Sequence, residues 1–429
     1  MRDLYILLIV LATLPLTFFR PHIGVLVWAW LSLMTPHHLA WGFAYDFPFV
    51  KVMAIVCLVA VLVSAEKKSF PTNAVTLLFV LFTVWISITT VFAMSPELAQ
   101  PRLWFVLKIF ALTYFALLTI NTRERIHALT WIVVTSIGFF GVKGGIFTIL
   151  TGGNYRVYGP EGSFIEDNNQ LALALVFVLP LMRYLQSNSA SRYIRWGLGA
   201  AMLLSVVAIL GSYSRGALLS LSVMLLALAI RSRRGWLTTL VVLGTFVGTL
   251  ILLPEAWYAR MSTIATYDED GSAQGRMEIW RFSWNVAMDR PIVGGGFDVF
   301  SYRPAYDAYA PGIKERFAHS VIFQVLAEHG FVGLAIFIAL GIATWLRCGL
   351  IRRQTKAAAE LRWAHDLASM VQVGLIGFFV AGLFLNLAFF DLLYLAIPLV
   401  IQTAAIVQRE GSTTGRSVPQ VPDHVRVPA

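Results

Sequence analysis

Thirteen apolar stretches divide this chain of 429 residues, and most are long enough for a helix that crosses a membrane. They cover approximately residues 4–19, 23–35, 50–65, 73–93, 103–120, 127–150, 169–186, 196–213, 215–231, 235–253, 319–346, 366–386 and 388–407. Hydrophobic residues make up 58% of the chain and charged residues only 13%, against about 25% charged residues in soluble domains. The sequence therefore excludes a soluble enzyme, a disordered chain and a fibrous repeat, and it predicts an all-α integral membrane protein.

One long gap separates the apolar stretches into two groups. Residues 1–253 are expected to form an N-terminal transmembrane bundle, and 319–408 the C-terminal transmembrane helices. Between them, 254–318 is predicted to be one large loop that contains short helices and packs over the bundle as a lid. Residues 409–429 are polar and are predicted to be a disordered cytoplasmic tail.

Basic residues cluster at alternate ends of the predicted spans, which marks those ends as cytoplasmic. The loop then faces the periplasm. The side of the N-terminus depends on residues 4–35. Two separate spans there give thirteen in total and place the N-terminus outside. A single span interrupted at Arg20–Pro21 gives twelve, with both termini inside. Proline and a charge at that point favour interruption, so we expect about twelve spans in a bacterial inner membrane.

Familiar soluble-enzyme motifs are missing from the sequence. There is no phosphate-binding loop, no HExxH, no GxSxG and no zinc spacing. The run Gly294–Gly296 is interpreted as a tight turn, and the adjacent His37 and His38 have no carboxylate cluster beside them to complete a metal site. We expect no cofactor and no metal. The net charge of +10 favours anchoring to membrane lipids over binding to nucleic acid.

Arg215 lies between two apolar stretches, in the short turn Gly211-Ser-Tyr-Ser-Arg-Gly216 at the predicted outer face. One interpretation is a side chain that reaches lipid headgroups. The other is anion binding, because small neighbours permit close approach of a ligand and charges held in a bundle are often functional. We favour the second.

Further basic residues are predicted at the same outer face, against the positive-inside trend. Their presence there indicates a polyanionic ligand such as a lipid diphosphate. They are Lys51, Arg102, Lys143, Arg156, Arg276 and Arg281.

His319 opens the first C-terminal span at its outer end. A neutral imidazole there can accept a proton near pH 7, so His319 is a candidate general base; the alternative is an interfacial hydrogen-bonding histidine. Glu328 and His329 follow deeper in the same span and are interpreted as a buried polar contact that stabilises the bundle.

These motifs, in this order, resemble the O-antigen ligase and polymerase superfamily. The resemblance rests on Ser214-Arg215-Gly216, Arg276-x-x-x-Trp280-Arg281, Pro291-x-x-Gly294-Gly295-Gly296, His319-Ser320 and Glu328-x-Gly330, and it covers roughly residues 70–400. The segment Tyr158–Asn169 is also similar to O-glycosylation ligases found beside exosortase systems.

The resemblance implies an all-α membrane glycosyltransferase of the class C type, without metal or nucleotide. The implied donor is a glycan linked through diphosphate to undecaprenol, and the implied ligase acceptor is the outer sugar of lipid A–core. His319 is then expected to act as the base and Arg215 as the main diphosphate contact, aided by Lys51, Lys143, Arg156, Arg276 and Arg281. Direct displacement predicts inversion at the anomeric carbon.

Three functions remain open at this point. The first is a ligase that acts on lipid A–core or on a protein, and the second is a polymerase that uses the same donor. The third is a transporter of lipid-linked glycans. A transporter favours internal repeats and charges at the membrane midplane, whereas here the charges gather at one face, so it ranks last.

Overall fold

The computed structural model describes residues 2–68, 70–231, 236–262 and 271–413, and helices are the only regular elements in these ranges. The N-terminal helices are α1 (Arg2–Phe19), α2 (Pro21–Met34), α3 (Phe49–Val63), α4 (Ala74–Val91), α5 (Pro96–Thr119), α6 (Arg123–Leu150), α7 (Asn168–Asn188), α8 (Arg192–Gly211), α9 (Arg215–Arg231) and α10 (Trp236–Leu252). The later ones are α11 (Glu255–Ser262), α12 (Gly271–Asp289), α13 (Arg303–Tyr309), α14 (Val321–Thr355), α15 (Arg362–Gly382) and α16 (Asp391–Thr413). The predicted all-α fold is confirmed.

Nine of the described helices are long and apolar enough to cross a membrane: α1, α4, α5, α6, α7, α8, α14, α15 and α16. A tenth is present if Val242–Leu252 and Glu255–Ser262, which meet at 104°, form one span. Helices α2, α3 and α9 are apolar but shorter. The protein is therefore a multi-pass membrane protein, and the predicted total of twelve spans is not confirmed.

The first two helices form an antiparallel hairpin. Arg2 at the start of α1 donates to the carbonyl oxygen of Leu39, 3.0 Å away and beyond the end of α2. Asp3 accepts from the backbone N–H of Ala44 at 3.1 Å. The prediction of one interrupted span over residues 4–35 is therefore wrong. Proline at the first position of α2 starts a new helix there, where its missing N–H costs nothing.

We call the end of the bundle that carries the loop before α14 the loop end. Backbone and side-chain contacts join several connections at this end. The turn before α9 meets the segment after α6, because Val157 donates to Gly211 O at 3.1 Å, and His38 Nδ1 lies 2.8 Å from Glu161 O. The opposite end holds the Arg125–Glu66 ion pair and the contact of Arg409 with Asn121 O.

The loop has a small hydrophobic core of its own, built around Ile279, Phe282, Val286, Phe300 and Tyr306. Helix α12 supplies three of these residues at helical spacing, in agreement with the amphipathic pattern of residues 275–286. Residues 263–270 of the predicted loop lie outside the described residues, as do 414–429 of the predicted tail; α16 itself continues to Thr413.

Helix α14 is broken at Gly330, where φ is 69° and ψ is −173°, a conformation that is essentially restricted to glycine. The glycine run of the loop fills the break. Gly295 N–H donates to Ala327 O at 2.8 Å and Gly296 N–H to Glu328 O at 3.0 Å. In return, Phe331 N–H donates to Pro291 O at 2.8 Å. The predicted tight turn thus replaces the helical hydrogen bonds that α14 loses.

Candidate functional site

His319 lies at the loop end, immediately before α14, and its side chain is exposed. Its φ of 46° is in the left-handed region, which is uncommon for residues other than glycine. The indole N–H of Trp280 donates to Ala318 O at 2.9 Å, and its ring stacks on Phe323 with centroids 4.9 Å apart. Helix α12 thereby fixes the backbone on which His319 sits.

A second anchor holds the same segment from the loop side. The Tyr306 hydroxyl accepts from Arg316 N–H at 3.1 Å and donates to Arg316 O at 2.9 Å. The Tyr306 ring stacks on Phe282 at 4.3 Å, inside the loop core. Residues 316–319 are therefore held between the loop core and α14.

The surroundings of His319 favour its neutral form. Although His319 is exposed at the surface, the protein groups around its ring partly desolvate it and lower its pKa below the ordinary value, and the positive charges of Arg276 and Arg316 lower it further. The carboxylate of Asp167 opposes them. Asp167 caps α7, accepting from Asn169 N–H at 2.9 Å. The imidazole of His319 is therefore mainly neutral at neutral pH, and it lies within electrostatic reach of the first turn of α7.

Arg215 is half-buried at the first position of α9, also at the loop end. The turn before it is tied to α7, because Asn168 Nδ2 donates to Ser212 O at 2.6 Å. Ser214 Oγ accepts from Ala217 N–H at 3.2 Å and so caps α9. The turn that carries Arg215 thus contacts Asn168, and the charge of the adjacent Asp167 acts on His319.

Two other predicted cations belong to this region. Arg156 is exposed and lies over the Tyr213 ring, 5.8 Å from its centroid, beside the turn that carries Arg215. Arg276 acts on His319, as described above. Arg281 is exposed on α12; five residues rotate an α-helix by about 140° beyond a full turn, so Arg281 projects from a different face than Arg276.

The two lysines are placed elsewhere. Lys51 is exposed near the start of α3. Lys143 lines a groove together with Arg2 and Phe139. Its neighbours Gly141 and Gly145 accommodate α8, because a Cβ at Gly141 would collide with Ser205 and one at Gly145 with Leu204.

Glu328 and His329 are both buried, and their side chains approach to 4.0 Å. Their main contacts are to other elements. His329 Nδ1 lies 2.7 Å from Thr89 Oγ1, while Glu328 Oε1 accepts from Asp298 N–H and Oε2 from Gln324 Nε2, each at 3.4 Å. Gln324 in turn accepts from Ala388 N–H at 3.2 Å. The pair thus joins the loop, α14 and the segment before α16.

Several residues that the structure places here had no role in the sequence analysis: Asp167, Asn168, Asp298, Tyr306, Arg316 and Gln324. Asp167 and Asn168 belong to the segment Tyr158–Asn169. The similarity of this segment to O-glycosylation ligases indicated that it matters, but it did not indicate a chemical role for either residue. Burial raises the pKa of Asp298, and the charge of Arg102 opposes that rise. The charge of Arg102, on α5, therefore acts on this carboxyl group of the loop.

No group of three or more His, Cys, Asp or Glu side chains in the described part of the chain is arranged to hold a metal ion. His37 and His38 lie with their ring centroids 4.4 Å apart. His38 is engaged with Glu161 O, and burial lowers the pKa of His37 to about 4.

Comparison with known families divides the chain into two parts. Residues 1–190 match a family of unknown function, DUF5935. A search of curated proteins finds no match to the chain. Residues 200–338 match the O-antigen ligase family, and this range contains Arg215, Arg276, Trp280, His319 and Glu328. Residues 200–338 are therefore similar to an O-antigen ligase domain, which agrees with the superfamily resemblance seen in the sequence.

Proposed function

We propose that the protein transfers a glycan from undecaprenyl diphosphate to an acceptor sugar of lipid A–core. The O-antigen ligase match supports glycan transfer as the class of activity. The finer proposal is supported by the first turn of α7, where Asn168 binds the turn that carries Arg215 and the charge of Asp167 acts on His319. His319 supplies a base and Arg215 a fixed positive charge, as displacement of a lipid diphosphate requires.

Charge develops on the leaving diphosphate as the anomeric C–O bond breaks. Arg215, Arg156 and Arg276 are arginines near this turn, and arginine binds phosphate oxygens in a bidentate manner. Fixed charges in a partly desolvated site stabilise such a transition state without reorganisation. Three of the predicted cations have no contact with this region in the described part of the chain: Lys51, Lys143 and Arg281. We assign them at most a role in attracting the anionic donor to the loop end.

The acceptor hydroxyl is a weak nucleophile. In the proposed step its oxygen attacks the anomeric carbon, undecaprenyl diphosphate departs with the electron pair of the broken bond, and His319 takes the hydroxyl proton. General-base assistance of this kind contributes about 10²–10⁴-fold. A single displacement inverts the anomeric configuration.

The proposal also determines how the protein is oriented in the membrane. The loop end faces the periplasm of a bacterial inner membrane, where lipid-linked donor and lipid A–core are both present in the outer leaflet. Residues 254–318 would form the periplasmic region between two transmembrane groups, 1–253 and 319–408.

The test is transfer by the purified protein, with lipid-linked donor and lipid A–core acceptor, in the presence and absence of EDTA. We expect full activity in EDTA and loss of turnover in His319→Ala with donor binding retained. A matched control is His38→Ala, which removes an imidazole at the same end of the bundle but away from Asp167. A fully active His319→Ala protein, or abolished activity in EDTA, would overturn the proposal.

A polymerase or a protein O-glycosylation ligase would use the same donor and the same residues. Deletion of the gene with analysis of surface glycans separates these functions. Loss of attached polymer with retained lipid-linked polymer identifies a ligase, whereas accumulation of single repeat units on the lipid identifies a polymerase. A transporter is disfavoured because Arg215, Arg276 and His319 all lie at the loop end.

A further inference from the structure

A groove of about 430 Å³ opens between α1 and α6, separate from the site around His319. Helix α2 forms its floor, because α2 packs against both α1 and α6. Tyr5 and Ile9 of α1 form one wall, and Phe139 of α6 forms the other. The volume is within the usual range of small-molecule sites, which is about 300–1,000 Å³.

Two cations lie in this otherwise apolar groove, Arg2 and Lys143. Arg2 is held in place, since it donates to Leu39 O at 3.0 Å and lies 5.3 Å from the centroid of the Trp41 ring. Lys143 is exposed and has no ionic partner among the residues that the structure describes. The carboxylate next to Arg2 in the sequence, Asp3, accepts hydrogen bonds from the backbone N–H groups of Gly42 and Ala44.

The groove changes from charged to apolar along α1. Arg2 begins the helix at the loop end, and Ile9 lies seven residues later, which is two turns or about 10 Å deeper. Helix α1 is also the least buried of the candidate spans, and Leu4, Tyr5 and Leu8 expose large apolar surfaces. In a membrane this side of the bundle is therefore in contact with lipid.

We propose that the groove binds an anionic phospholipid, with its phosphate between Arg2 and Lys143 and an acyl chain between α1 and α6. Two positive charges at the charged end match a phosphodiester, and the apolar walls match a hydrocarbon chain. Basic residues near a membrane surface attract anionic lipids. The site is distinct from the proposed transfer site, because none of the residues that line the groove is among those around His319 and Arg215.

The experiment uses the full chain in nanodiscs of phosphatidylcholine mixed with phosphatidylglycerol. A photo-crosslinking benzoylphenylalanine is placed at position 5, in the groove, or at position 8, which is on α1 but does not line it. Mass spectrometry then identifies the attached lipid. We expect phosphatidylglycerol to be enriched above its share of the bilayer at position 5 and not at position 8.

Charge removal provides the second arm. Lys143→Gln should lower the enrichment about five-fold, the effect of one basic residue near the membrane surface. Lys51→Gln, which removes a lysine outside the groove, should leave it unchanged. Equal enrichment at positions 5 and 8, or no response to Lys143→Gln, would overturn the proposal. Displacement of phosphatidylglycerol by added undecaprenyl diphosphate at equimolar amounts would overturn it in favour of an isoprenoid occupant.

Discussion

Trp280 donates its indole N–H to the carbonyl oxygen of Ala318, the residue directly before His319. The same ring stacks on Phe323 in the first turn of α14. Trp280 therefore fixes both sides of the residue that we propose as the base, although it need not touch the substrate.

Replacing Trp280 with Phe tests this positioning role. Trp280→Phe keeps an aromatic ring over Phe323 but removes the hydrogen bond, so we expect kcat to fall about tenfold from misplacement of His319, with KM little changed. The loss of stability should be small, about 1 kcal/mol for one hydrogen bond. Trp284→Phe, at an exposed position of the same helix, is the control. An equal fall in both variants in the transfer assay would contradict the role.

The pH profile of kcat/KM should report His319. A base must be neutral, and the pKa of His319 lies below its ordinary value, so activity should persist below about pH 6.5 and fall only as the pH drops through the lowered pKa. Asp167 raises this pKa, so Asp167→Asn, which keeps the cap of α7, should move the acid limb to lower pH.

Arg276→Gln should move the same limb in the opposite direction, to higher pH, because Arg276 lowers the pKa of His319. Glu161→Gln removes an exposed carboxylate from the same segment as Asp167 and should leave the limb in place. Shifts of the same sign in Asp167→Asn and Arg276→Gln would exclude His319 as the group that titrates.

Arg215→Lys keeps the positive charge but loses the planar fork that binds two phosphate oxygens. We expect kcat/KM to fall by about 10–100-fold, roughly 1.4–2.8 kcal/mol of transition-state stabilisation. Arg303→Lys, an exposed arginine paired with Asp307, is the control. Single-turnover measurements with excess enzyme separate the chemical step from donor binding, and near-wild-type rates in Arg215→Lys would refute a bidentate contact.

Gly330→Ala should destabilise the protein strongly. The backbone conformation at this position disfavours any side chain, at about 1–3 kcal/mol, and a Cβ there would collide with Ile292 O. Thermal unfolding in detergent measures the effect. Gly197→Ala, at an open position of α8, should leave the unfolding temperature unchanged or raise it slightly. Equal unfolding temperatures would show that the break at Gly330 is not required.

The lid expected over residues 254–318 can be tested by proteolysis. A protease site introduced after Gly312, an exposed turn with open space around it, should be cut more slowly when lipid-linked donor is bound, because a closed loop sequesters the substrate. A second site in the connection at Glu360, at the opposite end of the bundle, controls for direct inhibition of the protease. Equal cleavage at Gly312 with and without donor would speak against a lid.

The sequence predicts most of the helices, because apolar stretches of the right length have few alternatives in a membrane. It also proposes His319 and Arg215 as site residues from their positions at span ends, and this remains a prediction. It could not show that α1 and α2 fold back on each other: proline and arginine at 20–21 are equally compatible with a kink and a turn. The sequence also could not show that Lys143 lies apart from the other predicted cations. Its direction depends on which face of α6 packs against α8, and α8 is distant from α6 in the sequence.

The contribution of Asp167 and Trp280 also lies beyond the sequence. Asp167 caps a helix more than 150 positions before His319, and only tertiary packing brings its charge to the imidazole. Trp280 cannot be distinguished in the sequence from other tryptophans near the membrane surface, where this residue type is generally enriched. Its role emerges from a single hydrogen bond to a backbone carbonyl, a contact that no residue pattern encodes.

The glycine run that fills the break in α14 has a consequence for how the chain is assembled. Ala327 O and Glu328 O receive their hydrogen bonds from Gly295 and Gly296; left unpaired in an apolar environment, each would cost about 1–3 kcal/mol. Residues 291–296 precede α14 in the chain, so the partner for this break is synthesised before the helix that needs it. Insertion of α14 into the bilayer and docking of the loop are therefore expected to be one coupled event during biosynthesis.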